Sequence, residues 1–277
     1  MREFATITVI GRDKTGVIAR VTNFLFEQHA NIEALEEQVT RGQFSMTLQA
    51  SWKRADLHPD KLRAGLDDLS RQLGMEIKFR HTDPRRRQRF AIMVTRETHC
   101  LDALLTANLR ADPALVIGNY PDLAGRVKKH KLPFDCFDWR DRLESETRAL
   151  ARLEQHQIDF VVLARFMKIL SPNFVWRHKN KIINIHPSLL PSFPGPQAYR
   201  QAYESGVKIV GVTAHFVSMG LDEGPIIAQD GFHIRPRMTL PEIIARGQRL
   251  EAKTLVKAVK LYLGNRLDVH WGVVKEL

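Results

Sequence analysis

The chain has 277 residues, of which 44% are apolar and 26% charged, and its formal net charge is +11. This composition predicts a globular protein of one or two domains with a sizeable core, and no apolar run approaches the roughly 18 residues that a membrane span needs. Cys100 and Cys136 are the only cysteines, so a disulfide framework or a zinc motif is not expected. The N-terminus alternates like a strand and lacks the features of a signal peptide, so we expect a cytoplasmic protein that contacts no membrane.

The positive charge indicates an anionic partner. Much of it lies in residues 80–89 (RHTDPRRRQR), which we interpret as part of a basic linker between two domains. The sequence has neither the interleaved aromatic residues of an RNA-binding sheet nor zinc-finger spacing, so we expect no nucleic-acid partner and keep a basic nucleic-acid-binding protein as an alternative. A polyanionic small molecule would use the same charge.

Residues 1–80 have the periodicity of a small α/β domain. The predicted elements, in order, are a strand over 3–10, a helix from Val17, strands over 32–40 and 43–52, a helix over 58–73 and a strand over 75–79. A tight turn at 41–42 joins the middle two strands. The order β-α-β-β-α-β is the split ferredoxin-like arrangement.

The turn after the first strand begins and ends with a glycine, Gly11 and Gly16, and contains Asp13. With Asn31 further on, this segment resembles an ACT domain, a small ligand-sensing module that pairs side by side. The resemblance implies an effector site at Gly11, Asp13, Gly16 and Asn31, and a homo-oligomer. A simpler interpretation is that the two glycines only permit a strand-to-helix turn.

After a linker over residues 81–89, a second domain is predicted for 90–277. Short apolar strands alternate with helical stretches, which favours a mainly parallel, Rossmann-like sheet covered on both faces. The predicted strands are 90–95, 113–118, 134–136 and 158–164, and the helical stretches between them are 99–109, 123–130 and 142–156. No dinucleotide-binding or P-loop glycine motif is present.

The most informative segment is 181–230. A strand over 181–186 carries Asn184 and His186 two residues apart, so both side chains leave the same face. An Asn can donate to a carbonyl oxygen as it becomes an oxyanion, and a His can supply a proton or a positive charge. Asp222, in a loop over 218–225, is placed to stabilise a cationic His186 and to orient a water or an amine. Taken singly, each residue is more readily interpreted as structural, as are His215 and His233.

Two sequence segments, taken together, favour a functional interpretation of Asn184, His186 and Asp222. Residues 184–191 (NIHPSLLP), followed by 221–227 (LDEGPII), resemble the formyl transferase family from about residue 90 to 263. The resemblance implies that Asn184, His186 and Asp222 are catalytic and move a formyl group from 10-formyltetrahydrofolate. The family's folate pocket is matched by residues 164–172, which implies substrate contacts for Met167, Lys168, Ile169, Leu170, Gly220 and Leu221.

An ACT domain in front of a formyl transferase domain is the arrangement of the formyltetrahydrofolate deformylases. That resemblance implies hydrolysis of 10-formyltetrahydrofolate to formate and tetrahydrofolate in one-carbon and purine metabolism, with no permanently bound cofactor or metal and with glycine or methionine as effector. Residues 95–101 also lack the glycines of a phosphate-binding turn, which favours water as the acceptor.

The acceptor is nevertheless left open by the residues after the catalytic strand. Deformylases have two consecutive histidines where this chain has His186-Pro187, and a Pro-Tyr pair where it has Ala198-Tyr199. The alternatives are therefore a folate-dependent formyltransferase with an amine acceptor and, from another class, a non-catalytic ACT-type ligand sensor. The joint presence of Asn184, His186 and Asp222 argues against the sensor.

Overall fold

The computed structural model describes residues 2–40, 42–82, 86–264, 266–270 and 272–276. The chain divides into two compact units, Met1–Arg86 and Arg87–Leu277. The segment expected to be a linker, 81–89, begins inside the last strand of the first unit and ends inside the first strand of the second, and its residues 83–85 lie outside the described part.

The N-terminal unit is a four-stranded antiparallel sheet of order β2-β3-β1-β4. Two helices lie over one face, and their apolar side chains form a single core with those of β1 and β3. The predicted β-α-β-β-α-β pattern is confirmed, while the turn residue Arg41 lies outside the described residues. The elements are β1 (Arg2–Arg12), α1 (Val17–Glu27), β2 (Asn31–Thr40), β3 (Gln43–Lys53), α2 (Pro59–Leu73) and β4 (Glu76–Thr82).

The edge strand β2 differs from the rest of this sheet, because nearly every one of its residues is exposed. Leu35 and Val39 face the same side as Leu48 and Phe44, their buried neighbours on β3, but they extend beyond the cover of the helices. An edge strand with exposed apolar side chains is a site where another strand can pair.

The second unit is a seven-stranded sheet of order β11-β10-β9-β8-β5-β6-β7, in which β10 alone runs against the other strands. This confirms the mainly parallel α/β sheet. The elements of the sheet and its helices are β5 (Gln88–Val94), α3 (His99–Thr106), β6 (Ala111–Gly118), α4 (Ala124–Lys129), β7 (Phe134–Cys136), α5 (Arg142–Gln155), β8 (Phe160–Ala164), α6 (Pro172–Arg177), β9 (Ile182–His186), α7 (Ala198–Glu204), β10 (Ile209–Phe216), β11 (Ile226–His233) and α8 (Leu240–Leu263).

Two apolar cores cover the two faces of this sheet, one with side chains of α3 and α8 and the other with side chains of α5 and α6. The sequence reasoning did not assign α8, although its start carries a recognisable signal. Thr239 and Glu242 form a reciprocal capping box, in which the Thr239 amide donates to the Glu242 carboxylate over 2.7 Å. A short hairpin, β12 (Leu267–His270) and β13 (Val273–Glu276), follows α8. Within the described residues, the helices are too short or too polar to span a membrane.

Candidate active site

The register of two strands brings the first polar side chains together. β9 pairs antiparallel with β10, so that His215 lies directly opposite Asn184 and Thr213 opposite His186. Cross-strand partners on one face of an antiparallel pair are neighbours, and Asn184 Nδ2 lies 3.2 Å from His215 Nε2. His215, which the sequence assigned only a structural role, therefore belongs to the same group of side chains as Asn184.

The loop after β10 adds Asp222. Gly224 permits its path, because a Cβ atom there would lie 1.7 Å from the carbonyl oxygen of Phe216. Asp222 has a left-handed backbone with φ of 57°, a conformation that Asp tolerates better than most residues. Its Oδ2 accepts a hydrogen bond of 2.9 Å from the Gly195 amide and lies 3.2 Å from His186 Nδ1. The loop thus delivers a largely buried carboxylate to a buried imidazole.

Both ring nitrogens of His186 face acceptors. Nδ1 faces the carboxylate of Asp222, and Nε2 lies 2.9 Å from the carbonyl oxygen of Phe193. A backbone carbonyl cannot donate a hydrogen bond and neither can an ionised carboxylate, so this geometry is satisfied only if both nitrogens carry hydrogen. The arrangement therefore favours a cationic His186 paired with an anionic Asp222.

His215 has the opposite protonation pattern. Its Nδ1 lies 2.9 Å from the Phe216 carbonyl oxygen and donates to it, which leaves Nε2 to accept from the Asn184 amide. Burial lowers the pKa of His215, although the Phe216 carbonyl and Asp222 act against that shift, so the neutral ring is favoured. One N–H of the Asn184 amide is engaged with His215, and the other remains for a ligand.

These residues line a cavity of about 570 Å³. All nine residues predicted to be catalytic or to contact substrate lie in its wall, including Met167, Ile169 and Leu221, whose apolar side chains are about half exposed. Exposed apolar side chains at a cavity mouth provide a surface for a flat, apolar ring. The remaining members of this set are Lys168, Leu170 and Gly220, together with Asn184, His186 and Asp222.

The same cavity is lined by charged residues that sequence reasoning did not find. Glu251, on α8, is fully buried, and its two carboxylate oxygens meet Tyr199 Oη at 2.7 Å and His99 Nε2 at 3.1 Å. Arg165 lies between two carboxylates, with Nη2 3.0 Å from Glu97 Oε1 and Nε 3.3 Å from Glu251 Oε2. Residues separated by up to 152 positions meet here, so local periodicity carried no signal for the cluster.

Burial and charge act against each other in this cluster. Burial by itself would raise the pKa of Glu251, but the hydrogen bond from His99, the Arg165 guanidinium and the Tyr199 hydroxyl together hold it below its usual value. Burial likewise opposes the charged form of Arg165, while Glu251 and Glu97 raise its pKa. Glu251 and Arg165 are therefore both ionised, and their opposite charges compensate each other.

The sequence showed no group of metal ligands, whereas the fold brings one potential ligand atom each of His99, Cys100 and Glu251 within 4.8 Å of one another. Burial, together with the nearby Glu251, raises the pKa of the Cys100 thiol well above its usual value. A protonated thiol is a poor metal ligand, and Arg165 already lies against the Glu251 carboxylate. The chemistry of these donors does not favour a metal centre.

The four residues expected to bind an effector do not meet within one chain. Gly11, Asp13 and Gly16 lie at the turn before α1, where Gly16 has φ of 85° and the Asp13 amide donates to the Gly42 carbonyl oxygen. Asn31 of β2 and Phe4 of β1 both pair with Ser51 of β3, so these two residues lie at the same level of the sheet. Phe4 precedes Gly11 by seven residues along β1. At a strand rise of ~3.3 Å per residue, Asn31 lies about 23 Å from the turn. Within one chain, Asn31 and the turn therefore lie at opposite ends of the sheet, and the effector site stays a prediction.

The doubly wound sheet and the Asn-His-Asp cluster at its strand ends define a formyl transferase domain. The formyl transferase family model matches residues 88–259, and the ACT domain model matches residues 3–80. Formyltetrahydrofolate deformylase of Escherichia coli strain K12 is 38% identical over 266 residues, which cover 93% of this chain and 92% of that protein. The chain belongs to the formyltetrahydrofolate deformylase family.

Solved structures agree with this assignment. The formyltetrahydrofolate deformylase of Pseudomonas syringae pv. tomato superposes with a TM-score of 0.68 at 32% identity and covers 100% of this chain and 95% of that one. Glycinamide ribonucleotide transformylase 1 of Symbiobacterium toebii gives a TM-score of 0.66 at 30% identity, but it covers only 69% of this chain and 94% of its own.

Proposed function

We propose that this enzyme hydrolyses 10-formyltetrahydrofolate to formate and tetrahydrofolate in one-carbon and purine metabolism, with Asn184, His186 and Asp222 as catalytic residues. Family membership supports the reaction. The observation that carries the residue assignment is the contact of 3.2 Å between His186 Nδ1 and Asp222 Oδ2 beside the Asn184 amide, in the wall of the cavity.

The proposed first step is addition of water to the formyl carbon. Asp222 uses Oδ2 for His186 and the Gly195 amide, which leaves Oδ1 to hold the water and take its proton. The remaining N–H of Asn184 donates to the developing oxyanion, and a donor of this kind is worth about 3 kcal/mol. His186 contributes its positive charge, since both of its N–H groups are already directed to protein acceptors.

The second step releases the products. The bond between the formyl carbon and N10 breaks, and the proton held by Asp222 passes to N10, so that formate and tetrahydrofolate leave. Water supplies the only added atoms, and no permanently bound cofactor enters the reaction. We assign the folate ring to the wall formed by Met167, Ile169 and Leu221, with Leu170 and Gly220 beside it, and a folate carboxylate to Lys168.

The test of this function uses the purified enzyme and 10-formyltetrahydrofolate alone. Formate and tetrahydrofolate should appear in equal amounts, measured by a formate dehydrogenase coupled assay and by absorbance. Formate that appears only when an amine is supplied would instead support the amine-acceptor alternative.

For the N-terminal unit we propose an effector site shared between two copies of the chain, with glycine or methionine as the ligand. Antiparallel pairing of two β2 edge strands would bring Asn31 of one copy towards the Gly11–Gly16 turn of the other, because these features lie at opposite ends of one sheet. The turn leads into α1, whose unpaired amides favour a carboxylate. This arrangement makes the enzyme a homo-oligomer.

A cytoplasmic location is part of the proposal. It is supported by the two cysteines, which are free thiols, Cys100 buried and Cys136 exposed.

A further inference from the structure

The cavity wall contains a charged group that the proposed reaction does not use. We call it the Arg165 cluster, and it consists of Glu97, His99, Arg165, Tyr199 and Glu251. Four of these residues line the cavity together with Gln248, whose amide lies 3.3 Å from Glu97 Oε2. A hydrolase needs space for one organic substrate and a water, so a second, charged wall requires a separate explanation.

Among the described residues of the Arg165 cluster, no cation is left to bind a second substrate. The guanidinium of Arg165 is held by Glu97 and Glu251 at 3.0 and 3.3 Å, and it is largely buried. His99 lies between the same two carboxylates, 3.6 Å from Glu97 and 3.1 Å from Glu251. The two carboxylates thus occupy the Arg165 guanidinium and both ring nitrogens of His99, and they add negative charge to this part of the wall.

The backbone shows that the cluster is specified and not incidental. Arg165 follows the last residue of β8 with φ of 62°, a left-handed conformation in which glycine carries no strain. Gly247, on α8, has the opposite requirement, because a Cβ there would lie 2.2 Å from Tyr199 Oη. The chain thus has an arginine at a position where glycine would carry less backbone strain. It has a glycine at the position against which the Tyr199 side chain lies as it reaches Glu251.

We propose that the Arg165 cluster determines the acceptor, by closing this part of the cavity to amines that carry a phosphate and leaving water as the nucleophile. The inference rests on the proposed hydrolysis and names the residues that make it a hydrolysis. In the competing transfer an amine nitrogen would attack the formyl carbon, lose a proton and form an amide as the bond to N10 breaks and N10 gains a proton. Both reactions use the same catalytic residues and differ only in the nucleophile admitted.

The test removes charged side chains of the Arg165 cluster by substitution. Arg165→Gly removes the guanidinium at a position whose backbone suits glycine, and Arg165→Gly/Glu97→Gln also removes the charge of one of the two carboxylates that pair with it. Each enzyme is given 10-formyltetrahydrofolate with glycinamide or with glycinamide ribonucleotide, and formate and formylated amine are quantified by mass spectrometry. We expect the ratio of amide to formate to rise at least about tenfold over wild type, with glycinamide for the single variant and with the ribonucleotide as well for the double variant.

The matched control is Arg237→Gly, which makes the same exchange at an exposed arginine with φ of 66° outside the cavity wall. It should keep the wild-type ratio of products, so a change there would overturn the inference. Tyr199→Phe is a milder second variant that removes only the hydroxyl from Glu251, and it should shift the ratio in the same direction by a smaller factor.

Folded variants that release formate but form no more amide than wild type would overturn the inference. So would variants in which formate release is lost without any gain of amide, because the cluster would then serve hydrolysis itself. A wild-type enzyme that releases no formate from the folate alone would instead refute the proposed function, so the two failures are distinguishable.

Discussion

In the catalytic unit, the side chains of the candidate site meet within one chain, and the two histidines among them, His186 and His215, are buried. Contacts of 2.9 to 3.8 Å connect the side chains of Asp222, His186, His215 and Asn184, and they include the backbone amide of Gly195. In the N-terminal unit, Asp13, Gly16 and Asn31 are exposed, and Asn31 lies at the opposite end of the sheet from the Gly11–Gly16 turn. The catalytic unit thus gathers its candidate residues within one chain, whereas the N-terminal unit keeps its predicted effector residues apart.

This difference has a physical origin in the sheets. A mainly parallel sheet, covered by helices on both faces, gathers its functional side chains at the carboxyl ends of its strands. The antiparallel sheet of the N-terminal unit leaves β2 exposed along its length, so that it can be completed by another strand. We therefore expect changes in the catalytic unit to act on chemistry and changes in the N-terminal unit to act on assembly and on the response to effectors.

The largest effect is expected for Asp222→Asn, which keeps the size of the side chain but removes the counter-charge of His186. Turnover should fall at least about a hundredfold while folate binding changes little, because the charge acts mainly in the transition state. Steady-state formate release and folate titration measure the two quantities. Asp230→Asn, at a carboxylate bonded to Thr254 and outside the cavity wall, is the control. Near-normal turnover of Asp222→Asn would remove this residue from the mechanism.

The second prediction concerns the edge strand. Leu35→Lys together with Val39→Lys places two charges on β2, where like charges repel across a paired strand. The molecular mass in analytical ultracentrifugation should fall to that of a smaller assembly, while formate release in the absence of effector is retained. Glu27→Lys, an exposed change on α1, should leave the mass as in wild type. A wild-type protein that is already monomeric at micromolar concentration would contradict the shared site.

The third prediction concerns the response to effectors. Glycine or methionine at millimolar concentration should change formate release, and Gly16→Val should abolish that change, because a β-branched side chain is strained at φ of 85°. Gly206→Val, at an exposed glycine of the catalytic unit with φ of 66°, is the matched control and should keep the response. Binding without a change in rate would make the turn a ligand site but not a regulator.

The smallest expected effect is a dependence of the unfolding free energy on pH that arises from the protonation of His215. Its pKa is lowered in the folded protein, so the unfolded chain binds the proton more readily and stability is lost as pH falls through the unfolded value of about 6.5. His215→Phe removes this titration. The difference in unfolding free energy between wild type and variant, measured by urea denaturation, should therefore narrow between pH 7.5 and 5.5. A difference independent of pH would show that His215 does not titrate in this way.

Much of the fold could be predicted from the sequence, because local patterns encode it. Alternation of apolar and polar residues marked the first strand of the N-terminal unit, and short apolar runs marked strands of the catalytic unit. The glycines around Asp13 marked the turn before α1. The spacing of Asn184 and His186 placed two functional side chains on one face of β9, since side-chain direction in a strand repeats every two residues. These features depend only on neighbours in the chain.

Tertiary structure decided the rest. The role of His215 depends on the register between β9 and β10, and the Arg165 cluster depends on the docking of α8 beside α3 and the end of β8. Register and docking are fixed by burial of apolar faces across many residues, and no local pattern specifies which polar side chains then meet. The separation of Asn31 from Gly16 has the same cause, because strand order, and not sequence distance, sets their positions.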